Sequence, residues 1–158
     1  MAKQSRINFN LDGLDDLKKS LSGFHTEIGI LGDGNMREGG KAGNAEIGLI
    51  HEFGSQSKNI PPRSFLRMPI EEKKRELVSS IRKSQTVRAA IDAGDVKAAF
   101  KAIGVMAEGI IQEAFSTGGF GKWPEKSELT RRYSKNPGSP LIETTQLRKA
   151  IASRVVRS

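Results

Sequence analysis

Apolar positions along this chain change period several times. Ile7, Phe9 and Leu11 alternate with polar neighbours, the mark of a short strand, and Asp12 and Gly13 break it. Leu14, Leu17 and Leu21 then fall at i, i+3 and i+7, which predicts a short helix. Asp15 and Asp16 stand in its first turn, where negative charge suits the helix dipole, and Gly23 ends it. Residues 25–31 (HTEIGIL) alternate again, with Ile28 and Ile30 on one side, and predict a second strand. The glycine-rich stretch 32–43 has no periodicity and reads as a flexible hairpin or loop. Asn44 is placed to cap a helix over 45–53, with Ile47, Ile50 and His51 on a shared face and Gly54 just beyond its end. A polar loop over 55–62 follows, its last residues held extended by Pro61 and Pro62.

From 64 to 91 the pattern predicts a long helix with Leu77, Val78 and Ile81 facing inward and Lys/Glu pairs outside. Ala93 and Gly94 interrupt it, and Asp95 is the next N-cap. The strongest helical signal covers 96–115, where Val96, Phe100, Ile103, Ala107, Ile110, Ile111 and Ala114 keep a 3.6-residue spacing. Gly104 and Gly109 each weaken that helix by roughly 1 kcal/mol relative to alanine, or mark a close helix–helix approach. An irregular stretch over 117–140 carries the only tryptophan, Trp123, and the only tyrosine, Tyr133. Thr144 or Thr145 is placed to cap a short helix through Ile151, and 153–157 reads as a final strand around Val155 and Val156. The sum is one α+β domain over 1–158: a small, mostly antiparallel sheet packed against two long helices, with long extended loops at about 32–44 and 117–140.

Composition narrows the function. The 158 residues include no cysteine, which removes a disulfide scaffold, a thiolate zinc site and a cysteine nucleophile together. No apolar run is long enough for a membrane span and the first residues lack a signal-peptide core, so a soluble, cytoplasmically made protein is expected, with no membrane partner. The net charge is +8 and unevenly placed: residues 1–60 carry 7 basic and 8 acidic side chains, 61–100 carry 9 and 5, and 101–158 carry 10 and 5. That surplus favours an anionic partner, nucleic acid or an acidic protein surface, over a merely solvated basic surface only weakly. Lys73, Lys74 and Arg75 are flanked by Glu71, Glu72 and Glu76, a local neutralisation, whereas Arg131 and Arg132 stand without close acids in sequence and are the candidate basic contacts.

Catalytic chemistry finds little support. His51 and Glu52 resemble the opening of a zinc-protease helix, but the second histidine belongs four residues on, and position 55 is Ser. The remaining histidine, His25, has no carboxylate cluster around it in sequence. No nucleophile elbow and no phosphate-binding glycine motif appears. Neither an enzyme, a metal site nor a cofactor is expected. For single-stranded nucleic acid, stacking aromatics should interleave with the basic residues. Aromatics are only 6%, and Phe53, Phe100 and Phe115 fall on helical core faces. Trp123, among Lys122, Lys126, Arg131 and Arg132, is read as pinning a long loop to the body rather than as a stacking platform.

Three stretches carry a resemblance: NAEIGLIHEFG over 44–54, IPPRSFLR over 60–67, and WPEKSELT over 123–130 followed by PLIETTQLRKAI over 140–151. In that order they resemble the virion morphogenesis, or tail-completion, proteins of tailed bacteriophages, small components of the neck and tail end. The positions that match are His51, Glu52, Phe53, Gly54, Ile60, Pro61, Arg63, Phe65, Trp123, Thr130, Leu141, Thr144 and Leu147. Thr145 departs from the family's usual glycine, and Trp123 and Pro124 are adjacent where the family has an intervening residue. The resemblance implies an α+β fold, no catalysis, and a structural role in the virion. The chain would form a homo-oligomeric ring, expected to be hexameric, that completes the tail and joins it to the head. It would contact neighbouring neck and tail proteins and meet DNA non-specifically in the lumen, with assembly in the host cytoplasm. A ring subunit needs extensions that reach its neighbours, and 32–43 and 120–133 are the expected ones. The segment 60–67 is read as a proline turn that seats Phe65 and Leu66 in the core, with Arg63 reaching an acidic partner or Glu52. The alternative is a basic DNA-binding accessory protein; a toxin or small hydrolase is a third reading that the missing catalytic cluster argues against.

Overall fold

A computed structural model describes residues 12–35, 42–141 and 145–158. The strand expected at Ile7, Phe9 and Leu11, the side chains of Leu14 and Leu17, and Thr144 lie outside the described residues. The architecture is α+β: mostly helical, with a two-stranded antiparallel sheet against one long helix. In chain order the elements are α1 (Asp12–Ser22), β1 (Phe24–Ile30), a 3-10 turn (Gly32–Asn35), α2 (Asn44–Phe53), α3 (Arg67–Glu72), α4 (Lys74–Lys83), α5 (Gln85–Asp92), α6 (Val96–Thr117), α7 (Glu128–Tyr133), α8 (Gln146–Lys149) and β2 (Ile151–Arg157).

The two strands run in register from Phe24 opposite Arg157 to Ile30 opposite Ile151. Two strands alone are marginal in water, so this pair depends on the helix beneath it. α6 supplies that support, and two polar ties fix it to the strands. Thr26 Oγ1 donates to the Phe100 carbonyl at 2.9 Å, and the Ser153 N–H donates to Glu108 Oε1 at 2.6 Å. Gly104 is what lets the helix come so near. A Cβ there would stand 2.9 Å from Ser153 Cβ and 3.0 Å from Thr26 Cγ2. The close approach is therefore helix to sheet, not helix to helix, and Gly109 has nothing within 4 Å of a built Cβ.

Asp95 caps α6 as expected, its carboxylate accepting from the Ala98 N–H at 2.9 Å. The long helix expected over 64–91 is instead three short ones. Lys73 leaves helical geometry (ψ 12°) between α3 and α4, and Ser84 is extended (ψ 117°) between α4 and α5. Ser84 Oγ accepts from the Val87 N–H at 3.2 Å, so a side-chain cap replaces the helical bonds lost at the break. The bends let both α4 and α5 pack on α6. Val78, expected inside, is exposed, because a helix this short turns only a narrow Leu77–Ile81 stripe to the body. Near the C-terminal strand, Thr145 sits at the N-cap of α8 with its carbonyl accepting from the Lys149 N–H at 2.9 Å but without a side-chain cap bond, and α8 stops at Lys149 because β2 already begins at Ile151.

The core lies where α6, α3 and α8 meet the loop after α6. Phe65, Ile111, Ala114, Phe115, Trp123, Leu141, Leu147 and Ile151 form one buried cluster. Phe115 stands edge-on to both Phe65 (centroids 5.5 Å apart) and Trp123 (5.6 Å). Such edge contacts add about 0.5–1.5 kcal/mol each beyond the area buried. The irregular stretch over 117–140 is thus anchored at Trp123, and it contains one element not expected from sequence, α7. Ser127 opens α7 by accepting from the Thr130 N–H at 3.2 Å.

Candidate functional site

The stretches that carry the resemblance meet in one joint, built outward from Glu52. At the last turn of α2 this side chain is only 7% exposed. Its Oε1 accepts from Ser64 Oγ at 2.6 Å and from the Arg67 N–H at 3.2 Å; its Oε2 accepts from the Phe65 N–H at 2.8 Å and the Leu66 N–H at 3.0 Å. The first backbone donors of α3 have no partners inside that helix, and an anion there also meets the positive end of the dipole. Glu52 therefore caps α3 from a different helix. Ser64 Oγ in turn accepts from the Met68 N–H at 2.9 Å.

Between the two helices the chain reverses over residues 55–60. Ser55 and Ile60 exchange backbone hydrogen bonds of 2.8 and 2.9 Å, and the Arg63 N–H donates to the His51 carbonyl at 2.6 Å. Gly54 makes the entry to this turn at φ 78°, ψ 179°, a conformation open essentially only to glycine. A Cβ at Gly54 would lie 2.9 Å from both the Ile60 carbonyl and the Pro62 nitrogen. The motif thus encodes a backbone path: carboxylate cap, glycine turn, proline-held return, buried phenylalanine.

Arg63 ties the distant third stretch to this joint. It is 6% exposed, and its Nε and Nη2 donate to the carbonyls of Pro124 and Glu125, each at 2.7 Å. Within the chain it does not reach Glu52, the intramolecular contact expected of it. The reason is geometric: the Glu52 carboxylate is taken up by the start of α3, while the 124–125 carbonyls face the guanidinium fork. Burial lowers the Arg63 guanidinium from its ordinary pKa. The Trp123 indole N–H donates to the Ser64 carbonyl at 3.0 Å, so the tryptophan pins its loop and offers no free stacking face. Leu141 and Leu147 are buried in the same cluster as Phe65 and Trp123.

Beside the joint lies an open groove of about 780 Å³ whose walls include His51, Ile60, Pro61, Lys126, Thr130 and Tyr133. Lys126 is buried, and its Nζ donates to Ser134 Oγ at 2.6 Å and to the Asn136 carbonyl at 2.8 Å, holding α7 against the following turn. Thr130 is exposed on α7, its hydroxyl 2.8 Å from Ser127 Oγ. Phe53 was placed by sequence on a core face, yet it is 65% exposed. Leu49, one turn earlier on α2, is 61% exposed; on α7, Leu129 and Tyr133 are 67% and 84% exposed. Two helices bordering the groove therefore each expose an apolar pair at i, i+4, a feature the sequence reading missed for Leu49 and Leu129. Leu49 and Phe53 lie about 100° around α2 from the buried Gly48 and Glu52, off the face that meets the body.

Arg131 and Arg132, the expected basic contacts, are exposed but paired, with Glu125 (3.2 Å) and Glu128 (3.0 Å) respectively. Among the described residues no group of three or more His, Asp or Glu is placed to hold a metal ion, and no helix is long and apolar enough to cross a membrane. No protein-family model matches the chain, and neither a curated protein nor a solved structure matches it.

Proposed function

We propose that this protein is a structural virion component of a tailed-phage neck or tail end, a subunit of a homo-oligomeric ring that completes the tail and joins it to the head. The observation that carries the reading is the pair of uncovered apolar faces, Leu49 with Phe53 on α2 and Leu129 with Tyr133 on α7, flanking the joint formed by the resembling stretches. A ring uses heterologous contacts, in which one patch meets a different patch on the next copy. Two dissimilar apolar faces on one chain suit that arrangement, and aromatic side chains are favoured anchors at such contacts. The rigid body would be the α6 core, with α7 and its flanking loop as the reaching element.

Electron microscopy of a phage lysate lacking this gene tests the reading. DNA-filled heads beside unattached tails are the expected result, and tails of irregular length would place the ring at the tail's terminating end. Normal infectious particles would refute a role in assembly. Phe53→Asp and Tyr133→Asp should reproduce the knockout while leaving the thermal stability of the free protein within about 0.5 kcal/mol of the parent, since both residues are exposed.

A further inference from the structure

In the sequence, Lys73, Lys74 and Arg75 are hemmed by Glu71, Glu72 and Glu76. In the fold two of those carboxylates are engaged, one within the run and one outside it, and Glu71 at the end of α3 is exposed without an ion pair among the described residues. Glu76 pairs with Lys73 at 2.9 Å, and Glu72 pairs with Lys122 in the loop after α6. Lys74, Arg75, Arg82 and Lys83 remain, all exposed, their side chains without an ion pair or hydrogen bond among the described residues. With Val78 and Ser79 they line one shallow depression along α4. Four unpaired cations on one short helix are a different object from the neutralised run that the sequence suggests.

From this geometry we propose that the outer face of α4 binds the phosphate backbone of duplex DNA. Lys74 and Arg75 precede Arg82 and Lys83 by eight residues, about 12 Å along a helix axis at 1.5 Å per residue. That span is close to the roughly 12 Å width of the major groove of B-form DNA, so the two pairs reach phosphates on its opposite rims. The only apolar side chain between them is Val78. With no aromatic on the face, a single strand finds nothing to stack on, which favours a duplex. A-form RNA presents a deep, narrow major groove instead and fits the spacing poorly. The proposal does not depend on the ring: DNA held by α4 is compatible with DNA in a ring's lumen and with an accessory protein that works alone.

Fluorescence polarisation of a labelled 30-base-pair DNA duplex of arbitrary sequence, titrated with the full-length protein at several salt concentrations, tests it. Four phosphate contacts give a slope of log K against log salt of about −3.6, or roughly a 150-fold loss of affinity between 50 and 200 mM salt. Arg82→Ala/Lys83→Ala should reduce the slope to about −1.8. Lys74→Ala/Arg75→Ala/Arg82→Ala/Lys83→Ala should abolish binding at 200 mM salt with an unchanged circular dichroism spectrum. Arg131→Ala/Arg132→Ala should leave affinity and slope as they were. Wild-type affinity and slope in the quadruple variant would overturn the proposal. So would poly-glutamate competing as well as unlabelled duplex, which would assign the face to an acidic protein surface, or duplex RNA binding as tightly as DNA. Because the readout is binding by free protein, a failure here is distinct from normal particles in the knockout.

Discussion

Replacing Glu52 with glutamine tests the joint with the smallest change in shape. The carboxylate accepts four donors, three backbone N–H groups and the Ser64 hydroxyl, on two oxygens. An amide keeps one accepting oxygen, best placed for the Phe65 and Leu66 N–H groups at 2.8 and 3.0 Å. Its NH₂ then replaces Oε1, where it faces the Arg67 N–H, a donor against a donor. The Ser64 hydroxyl must also reverse its role and accept, although it already accepts from the Met68 N–H. One buried donor left without a partner costs about 1–3 kcal/mol, and the bonds that survive lose their charge assistance. The expected loss for Glu52→Gln is about 2–3 kcal/mol, and for Glu52→Ala, which strands all three N–H groups, about 3–5 kcal/mol. At 2–4 °C per kcal/mol for a chain of this size, the glutamine variant should melt roughly 4–12 °C lower. Urea denaturation followed by Trp123 fluorescence reads the same quantity, because the indole is bonded to Ser64 within the joint. A glutamine variant within 0.5 kcal/mol of the parent would refute the idea that Glu52 holds α3.

Gly54→Ala should destabilise by about 2–4 kcal/mol, since the residue occupies glycine-only backbone and its new Cβ meets the Ile60 carbonyl; equilibrium unfolding measures it. On α6 two glycines should behave oppositely. Gly104→Ala pushes the helix off the strands and lowers the melting temperature, whereas Gly109→Ala, exposed with nothing near its Cβ, stabilises by up to about 1 kcal/mol. The strand pair also carries a pH signature. A hydrogen bond from Arg154, directly opposite, holds the Glu27 carboxyl below its ordinary range. A folded-state pKa below the unfolded one contributes stability above the unfolded value, and that contribution disappears as pH falls through the folded value. Acid titration of stability should therefore show a component lost at the low end of the carboxylate range that is absent in Glu27→Gln.

How much of this was legible in the sequence depended on whether a local pattern met a local need. α6 was legible because one apolar stripe packs along its whole length and Asp95 caps it from the adjacent residue. The strands at 24–30 and 151–157 were legible to within two residues from their alternation. The 64–91 helix was misread because apolar spacing does not register Ser84, whose hydroxyl competes for the backbone and restarts the helix. Residues 51–65, singled out in the sequence by the resemblance, lie together in the fold, but the contacts they make were not readable. Arg63 was expected to reach an acidic partner or Glu52; instead Arg63 donates to the backbone carbonyls of 124–125, and Glu52 accepts from the Ser64 hydroxyl and the backbone N–H groups of 65–67. A cap supplied from another helix leaves no signature in its own neighbourhood. Likewise, the unpaired cations of α4 depend on where Glu72 finds Lys122, 50 residues away.

The pairing of β1 with β2 has a consequence for how the chain comes to be folded. The 120 residues from Leu31 to Ala150 separate the two strands. At typical elongation rates of 5–20 residues per second, β1 waits roughly 6–24 s for its partner to be synthesised. During that interval the hydrogen-bonding edge that β2 will occupy is open to any other extended segment, including the same strand on another nascent chain. Helical hydrogen bonds are local and need no such wait, whereas the sheet pairs residues about 120 apart, the kind of non-local contact that closes slowly. A chain made on crowded polysomes would therefore be most vulnerable to misassembly through β1. His25 and Glu27, half-exposed polar side chains on that strand, are the groups placed to make the waiting edge less adhesive.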